Sequence, residues 1–160
     1  MNNIVFLDID GVLNYTEWYI CPRNELKSDL DPFCIERIKV LCRITKSKIV
    51  ISSDWRYSTG YKKLLKDNDF IELIIDETPE HMFDVSQEDK SRGSEIQHWW
   101  NNFGKLYKDY IIIDDRTDFL EHQKSKLIQV NPQIGFTDLN LLDAVYLLNY
   151  LFVNVIKYYR

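Results

Sequence analysis

Apolar residues fall along this chain in two rhythms. The first is the short continuous run. Ile4-Val5-Phe6-Leu7 is closed by Asp8 and then Gly11, the pattern of a buried parallel strand entering a tight loop. Lys48-Ile49-Val50-Ile51-Ser52 and Tyr110-Ile111-Ile112-Ile113-Asp114 repeat it, each stopping at a polar residue. Leu127 to Asn131 is a weaker fourth run ended by Pro132, and Ile71 to Ile75 predicts an edge strand.

The second rhythm is helical. Pro32 to Thr45 places Ile35, Ile38, Leu41 and Cys42 on one stripe, and Ser58 to Lys66, Ser94 to Phe103 and Leu139 to Tyr158 carry similar patterns. Strands alternating with helices predict an α/β fold, a Rossmann-like parallel sheet flanked by helices on both faces. Residues 12–31 and 76–91 are polar and aromatic, irregular, and long enough to be flaps over a site. Neither connection has room for a large cap domain beside the elements the sheet needs, so an open site is expected.

At 160 residues the chain fits one domain, 1–160, able to bury a core without disulfides. A formal charge of -5 argues against a protein-wide basic field for nucleic acid or anionic membrane, though not against a local patch. Cys21, Cys34 and Cys42 show no CxxC spacing and follow no signal-peptide pattern, which predicts reduced thiols in a cytoplasmic protein. Asn140, Asp143, Asn149 and Asn154 interrupt the apolar C-terminal stretch, so no membrane span is expected. Oligomeric state is left open by the sequence.

Ligands of open parallel sheets bind at the carboxyl ends of strands. Those ends here are Asp8, Ser52 and Asp114, and the loops after them add Asp10, Ser53 and Asp115. Carboxylates sharing one crevice raise each other's pKa unless a cation neutralises them. Oxygen donors without His or Cys point to Mg²⁺. His81, His98 and His122 lack ligand spacing.

The run Phe6-Leu7-Asp8-Ile9-Asp10-Gly11-Val12-Leu13 resembles the first motif of the haloacid dehalogenase-like superfamily. Ile49 to Ser53 looks like its second motif, Arg92-Gly93 opening a helix like its third, with Lys90 a competing candidate, and Tyr110 to Asp115 like its acidic fourth. The resemblance implies a phosphomonoesterase working through an aspartyl-phosphate. Asp8 is then the nucleophile and Asp10 the general acid and base, with Ser52, Ser53 and Arg92 holding phosphate and Asp8, Asp10 (through its carbonyl), Asp114 and Asp115 holding Mg²⁺. Asp10 favours phosphate esters over halides, since a departing halide needs no proton. Other readings from the same motifs are a catalytically silent binding domain of this fold, a phosphotransferase and a small-metabolite phosphatase.

A narrower resemblance lies in Ser52-Ser53-Asp54-Trp55-Arg56 and Arg92-Gly93-Ser94-Glu95-Ile96-Gln97-His98-Trp99. These are similar to signatures of superfamily domains in RNA-repair proteins and, more distantly, of the phosphatase half of polynucleotide kinase-phosphatases, which implies a nucleic-acid terminus or another phosphorylated small molecule as partner. Arg56 is a candidate to contact substrate or a second phosphate, with a surface ion pair as the alternative. Trp55, Trp99 and Trp100 are expected to pack in the core rather than stack on a base, and Lys62, Lys63 and Lys66 to form one solvated helix face.

Overall fold

The computed structural model describes residues 1–22, 29–79 and 91–158, with residues 150–158 as helix backbone only. Five parallel strands form one sheet: β1 (Asn3–Leu7), β2 (Ser47–Ile51), β3 (Ile74–Glu77), β4 (Tyr110–Asp114) and β5 (Leu127–Gln129), in the order β3-β2-β1-β4-β5. Five helices accompany them: α1 (Thr16–Ile20), α2 (Pro32–Thr45), α3 (Tyr61–Asp67), α4 (Arg92–Phe103) and α5 (Asp138–Tyr158). This is the expected Rossmann-like α/β architecture. Among the described residues no cap domain is inserted between the strands.

The continuous apolar runs reflect burial on both sides of the sheet. On one face Val5, Leu7, Ile49, Ile51, Ile111 and Ile113 pack with the α2 stripe Ile35, Ile38, Leu41 and Cys42 and with Ala144 and Leu148 of α5. On the other, Ile4, Phe6, Val50 and Ile112 pack under Ile96 and Trp99 of α4. That second face is aromatic, with the Phe6 ring edge-on to both Trp99 and Tyr110 at 5.4 Å. The indole N–H of Trp99 donates to Asp76 of the edge strand β3 at 2.7 Å, which ties α4 across the sheet.

Local signals set the helix ends. The Asp31 carboxylate accepts from the Phe33 N–H at 2.8 Å and Pro32 opens α2, while Lys46 in the left-handed region closes it. The start expected at Ser94 for α4 moves back to Arg92 because Ser91 is the cap, its hydroxyl accepting from the Ser94 N–H at 3.2 Å. The strand expected over 71–75 is shifted: Ile71–Leu73 forms a 3-10 turn and the strand begins at Ile74. Asp69, at φ 52, turns the chain sharply after α3, and the apolar residues that follow fill the core beside that helix before the backbone reaches β2. The helix expected over Ser58 to Lys66 starts later, at Tyr61, because a 3-10 turn over Asp54–Tyr57 and Gly60 at φ 98 precede it.

The tryptophans pack as expected, Trp99 within the core and Trp55 and Trp100 against it. Lys62 and Lys63 lie on an exposed helix face, paired with Glu77 and Asp67. Among the described residues, no helix is long and apolar enough to cross a membrane.

Candidate active site

Strand register builds the site. Leu7 pairs with Ile51 on one side and Ile113 on the other, so the next residues, Asp8, Ser52 and Asp114, emerge side by side at the carboxyl edge. Two N–H bonds hold this line, Asp8 to the Ile113 carbonyl and Ser52 to the Leu7 carbonyl, each 3.0 Å. The strand order reverses here, since β1 leads to β2 and β3 on one side while β4 and β5 lie on the other. That switch point opens a crevice between neighbouring loops.

Carboxylate oxygens of Asp8, Asp114 and Asp115 lie within 4.8 Å of one another, Asp8 and Asp114 buried and Asp115 partly so. Burial first, and then the neighbouring Asp8 charge, push both Asp114 and Asp115 above the ordinary carboxylate range. Three hard oxygen donors of one sign, without His or Cys among them, fit a divalent cation such as Mg²⁺.

Among the described residues one buried cation, Arg92, serves this cluster. Arg92 Nη1 lies 3.0 Å from Asp8 and 3.2 Å from Asp114, and its Nη2 lies 3.2 Å from Asp54. Burial acts to lower the Arg92 pKa, but Asp8 and Asp114 outweigh it and the net shift is upward, so the guanidinium stays charged. The Ser52 hydroxyl is fully buried and has no hydrogen-bond partner among the described residues, a cost of about 1–3 kcal/mol unless a ligand meets it. Such a donor beside Asp8 is what an oxygen-rich ligand needs.

Two glycines permit these approaches. Gly11 sits at φ +71, and a Cβ there would come within 2.8 Å of the Asp115 carboxylate. A Cβ on Gly93 would come within 2.7 Å of the Leu120 backbone N. The loop after β4 therefore presses directly on the first turn of α4. Gln123, wholly buried, locks that contact by donating to the Gly93 carbonyl at 2.9 Å.

The remaining candidates divide. Asp10 is exposed, with its carboxylate held by the Asn14 side-chain amide at 2.8 Å, outside the three-carboxylate cluster. Ser53 is buried and caps the 3-10 turn Asp54–Tyr57, its hydroxyl accepting from the Trp55 N–H at 3.4 Å. Arg56, read as a substrate contact or a surface pair, is neither exposed nor aimed at the carboxylates. Its side chain donates to the Ser52 and Ser53 carbonyls at 2.6 and 2.8 Å, to Glu95 at 2.7 Å and to the Tyr57 hydroxyl. Lys90 lies outside the described residues.

Several participants went unread in the sequence. Glu95 neutralises Arg56, and both belong to the narrower signatures quoted above, so their opposite charges were the available signal. Asn14 follows Asp10 around the Gly11 turn and bonds both its carboxylate and the Gly11 N–H. Asp54 and Arg116 have no periodicity to reveal them. The Arg116 N–H donates to Asp114 at 2.9 Å, and Asp118 accepts from the Arg92 N–H and from both ends of the Arg116 fork.

A parallel sheet in this order, with acidic β1 and β4 ends facing a cation at the start of α4, defines a domain of the haloacid dehalogenase class. Residues 4–141 match the family of the HAD domain in Swiss Army Knife RNA repair proteins, and the chain belongs to it. No curated protein and no solved structure matches the chain.

Proposed function

We propose that the chain is a Mg²⁺-dependent phosphomonoesterase that acts through an aspartyl-phosphate on Asp8. The observation that carries this reading is the convergence of Asp8, Asp114 and Asp115 with an unpartnered Ser52 hydroxyl and a buried Arg92. Asp8, Asp114, Asp115 and the Asp10 carbonyl would hold Mg²⁺, which when bound offsets the negative charge of carboxylates and phosphate together.

Asp8 Oδ attacks phosphorus, the ester P–O bond breaks, and Asp10 gives its proton to the departing oxygen. Water then attacks the same phosphorus, Asp10 takes its proton, and the acyl-phosphate P–O bond breaks to release inorganic phosphate and restore Asp8. Asn14 steadies one Asp10 oxygen and leaves the other free for this exchange. Ser52 donates to a phosphoryl oxygen, and Arg92 moves part of its attraction from Asp8 to phosphate as the Asp8 charge is used in bonding. Asp10→Asn is expected to slow alkyl phosphates by about 10²–10⁴-fold and activated aryl phosphates much less, since only alkoxide leaving groups need the proton. Equal slowing of both would remove the acid role.

Membership of a family named for RNA repair proteins supports a nucleic-acid terminal phosphate as substrate. The test is phosphate release with Mg²⁺ from 3′- and 5′-phosphorylated oligonucleotides, mononucleotides and sugar phosphates. Release from oligonucleotide ends, abolished by EDTA, is expected. No release from any member of the panel, or release indifferent to EDTA, would overturn the reading.

A further inference from the structure

The contacts around Asp54 point beyond a site for one phosphate. Its side chain is 66% exposed, yet its carboxylate faces three guanidiniums, 3.2 Å from Arg92, 3.7 Å from Arg56 and 3.8 Å from Arg116. Each arginine has a nearer partner elsewhere: Asp8 at 3.0 Å for Arg92, Glu95 at 2.7 Å for Arg56, and Asp118 at 2.6 Å for Arg116. Asp54 thus rests on a ring of cations without being needed by any of them. Of the three, only Arg116 is itself exposed, and an exposed pair at that distance contributes about 0–1 kcal/mol, so Asp54 is released from Arg116 at little cost.

We propose that this ring is a second anion subsite, with Arg116 its specificity-determining residue, and that the substrate carries another phosphate beside the one removed. The proposal deepens the phosphatase reading and rests on it for the scissile group. The heads of Arg92 and Arg56 are buried, whereas Arg116 is 45% exposed and reaches solvent at the mouth. Its backbone N–H is on Asp114, so its side chain starts directly beside the carboxylate cluster. Arg92 touches both Asp8 and Asp54, which makes the two anion positions neighbours across a single guanidinium.

A single phosphate on Asp8 engages Arg92 and leaves Arg116 with Asp54. A second phosphate displaces Asp54, because its tetrahedral non-bridging oxygens, two on a diester and three on a monoester, take the place of the Asp54 carboxylate between Arg92 and Arg116. The second group is either the phosphodiester next to a chain terminus or the other ester of a small bisphosphate. Both present charged non-bridging oxygens to Arg116, the diester two with one charge and the monoester three with up to two.

The experiment compares wild type, Arg116→Ala and Arg116→Lys on four ligands: a dinucleotide with a terminal phosphate, a nucleoside 3′,5′-bisphosphate, a nucleoside monophosphate and p-nitrophenyl phosphate. It measures kcat/KM with Mg²⁺ and, separately, equilibrium binding to the Asp8→Asn protein. Arg116→Ala is expected to weaken both quantities for the two-phosphate ligands about tenfold more than for the others, and to lower the salt slope of dinucleotide binding by about 0.7. Arg116→Lys, which keeps the charge, is expected to recover part of the loss and serves if the alanine variant does not fold. A response of the dinucleotide alone identifies a phosphodiester; a response of the bisphosphate as well identifies any second phosphate. Equal losses on all four ligands, or none, would overturn the subsite. Binding that depends on Arg116 in a protein without turnover would instead sink the phosphatase reading and leave the subsite standing.

Discussion

Arg92 and Arg56 are both buried arginines at the carboxyl edge of the sheet, and their surroundings differ in kind. Arg56 is met mainly by neutral carbonyls, with one firm carboxylate, Glu95, at 2.7 Å. Its charge is matched and its two terminal nitrogens are occupied by the protein itself. Arg92 faces Asp8, Asp114 and Asp54 at 3.0–3.2 Å, more negative charge than it can neutralise. The first environment locks a loop; the second stays in negative excess until a cation joins it. Residue type alone does not separate the two, because what decides is whether the partners are carbonyls or a cluster of carboxylates.

The largest effect expected from this contrast is on stability. Arg56→Ala removes the guanidinium 2.7 Å from the buried Glu95 carboxylate and the side-chain donor to the Ser52 carbonyl, so unfolding free energy is expected to fall by about 3–5 kcal/mol in denaturant titrations. The folded fraction is expected to keep kcat within about tenfold. A stable Arg56→Ala protein with strongly reduced kcat would erase the distinction.

Arg92→Ala is expected to do the reverse, lowering kcat by about 10²–10³-fold, the effect of removing one donor to a developing charge. Its stability with Mg²⁺ present is expected to stay near that of wild type. A kcat within about threefold of wild type would show that Arg92 is a structural group like Arg56. Smallest is the effect of the metal itself. At about 100 times its Kd, Mg²⁺ is expected to stabilise wild type by about 2.7 kcal/mol and to lose most of that effect in Asp114→Asn. Equal stabilisation of both proteins would place the cation elsewhere.

Much of the fold was legible because the sheet is buried on both faces. Three β-branched runs ending in polar residues fixed the central strands to within a residue, and their parallel register brought Asp8, Ser52 and Asp114 into line. The 3-10 turn at Ile71–Leu73 was not legible, since a short apolar run fills a core equally well from a turn or a strand. Nor was the orientation of Arg56. A sequence shows that an arginine follows a candidate phosphate-binding strand end, but not that Glu95, on a different element, draws its guanidinium inward. Arg116 and Asp54 were hidden for the same reason, because loops carry no period and their contacts are long-range. The two glycines have a physical explanation that pattern alone could not give: Asp115 presses on Gly11 and the loop after β4 presses on Gly93.

The central claim is that phosphate passes through Asp8. Its most direct test is acid quenching of the enzyme during turnover of a ³²P-labelled oligonucleotide terminus, followed by mapping of protein-bound label. The account predicts a hydroxylamine-labile label on the peptide containing Asp8, absent from Asp8→Asn. Turnover without bound label at Asp8, or label that persists in Asp8→Asn, would contradict it.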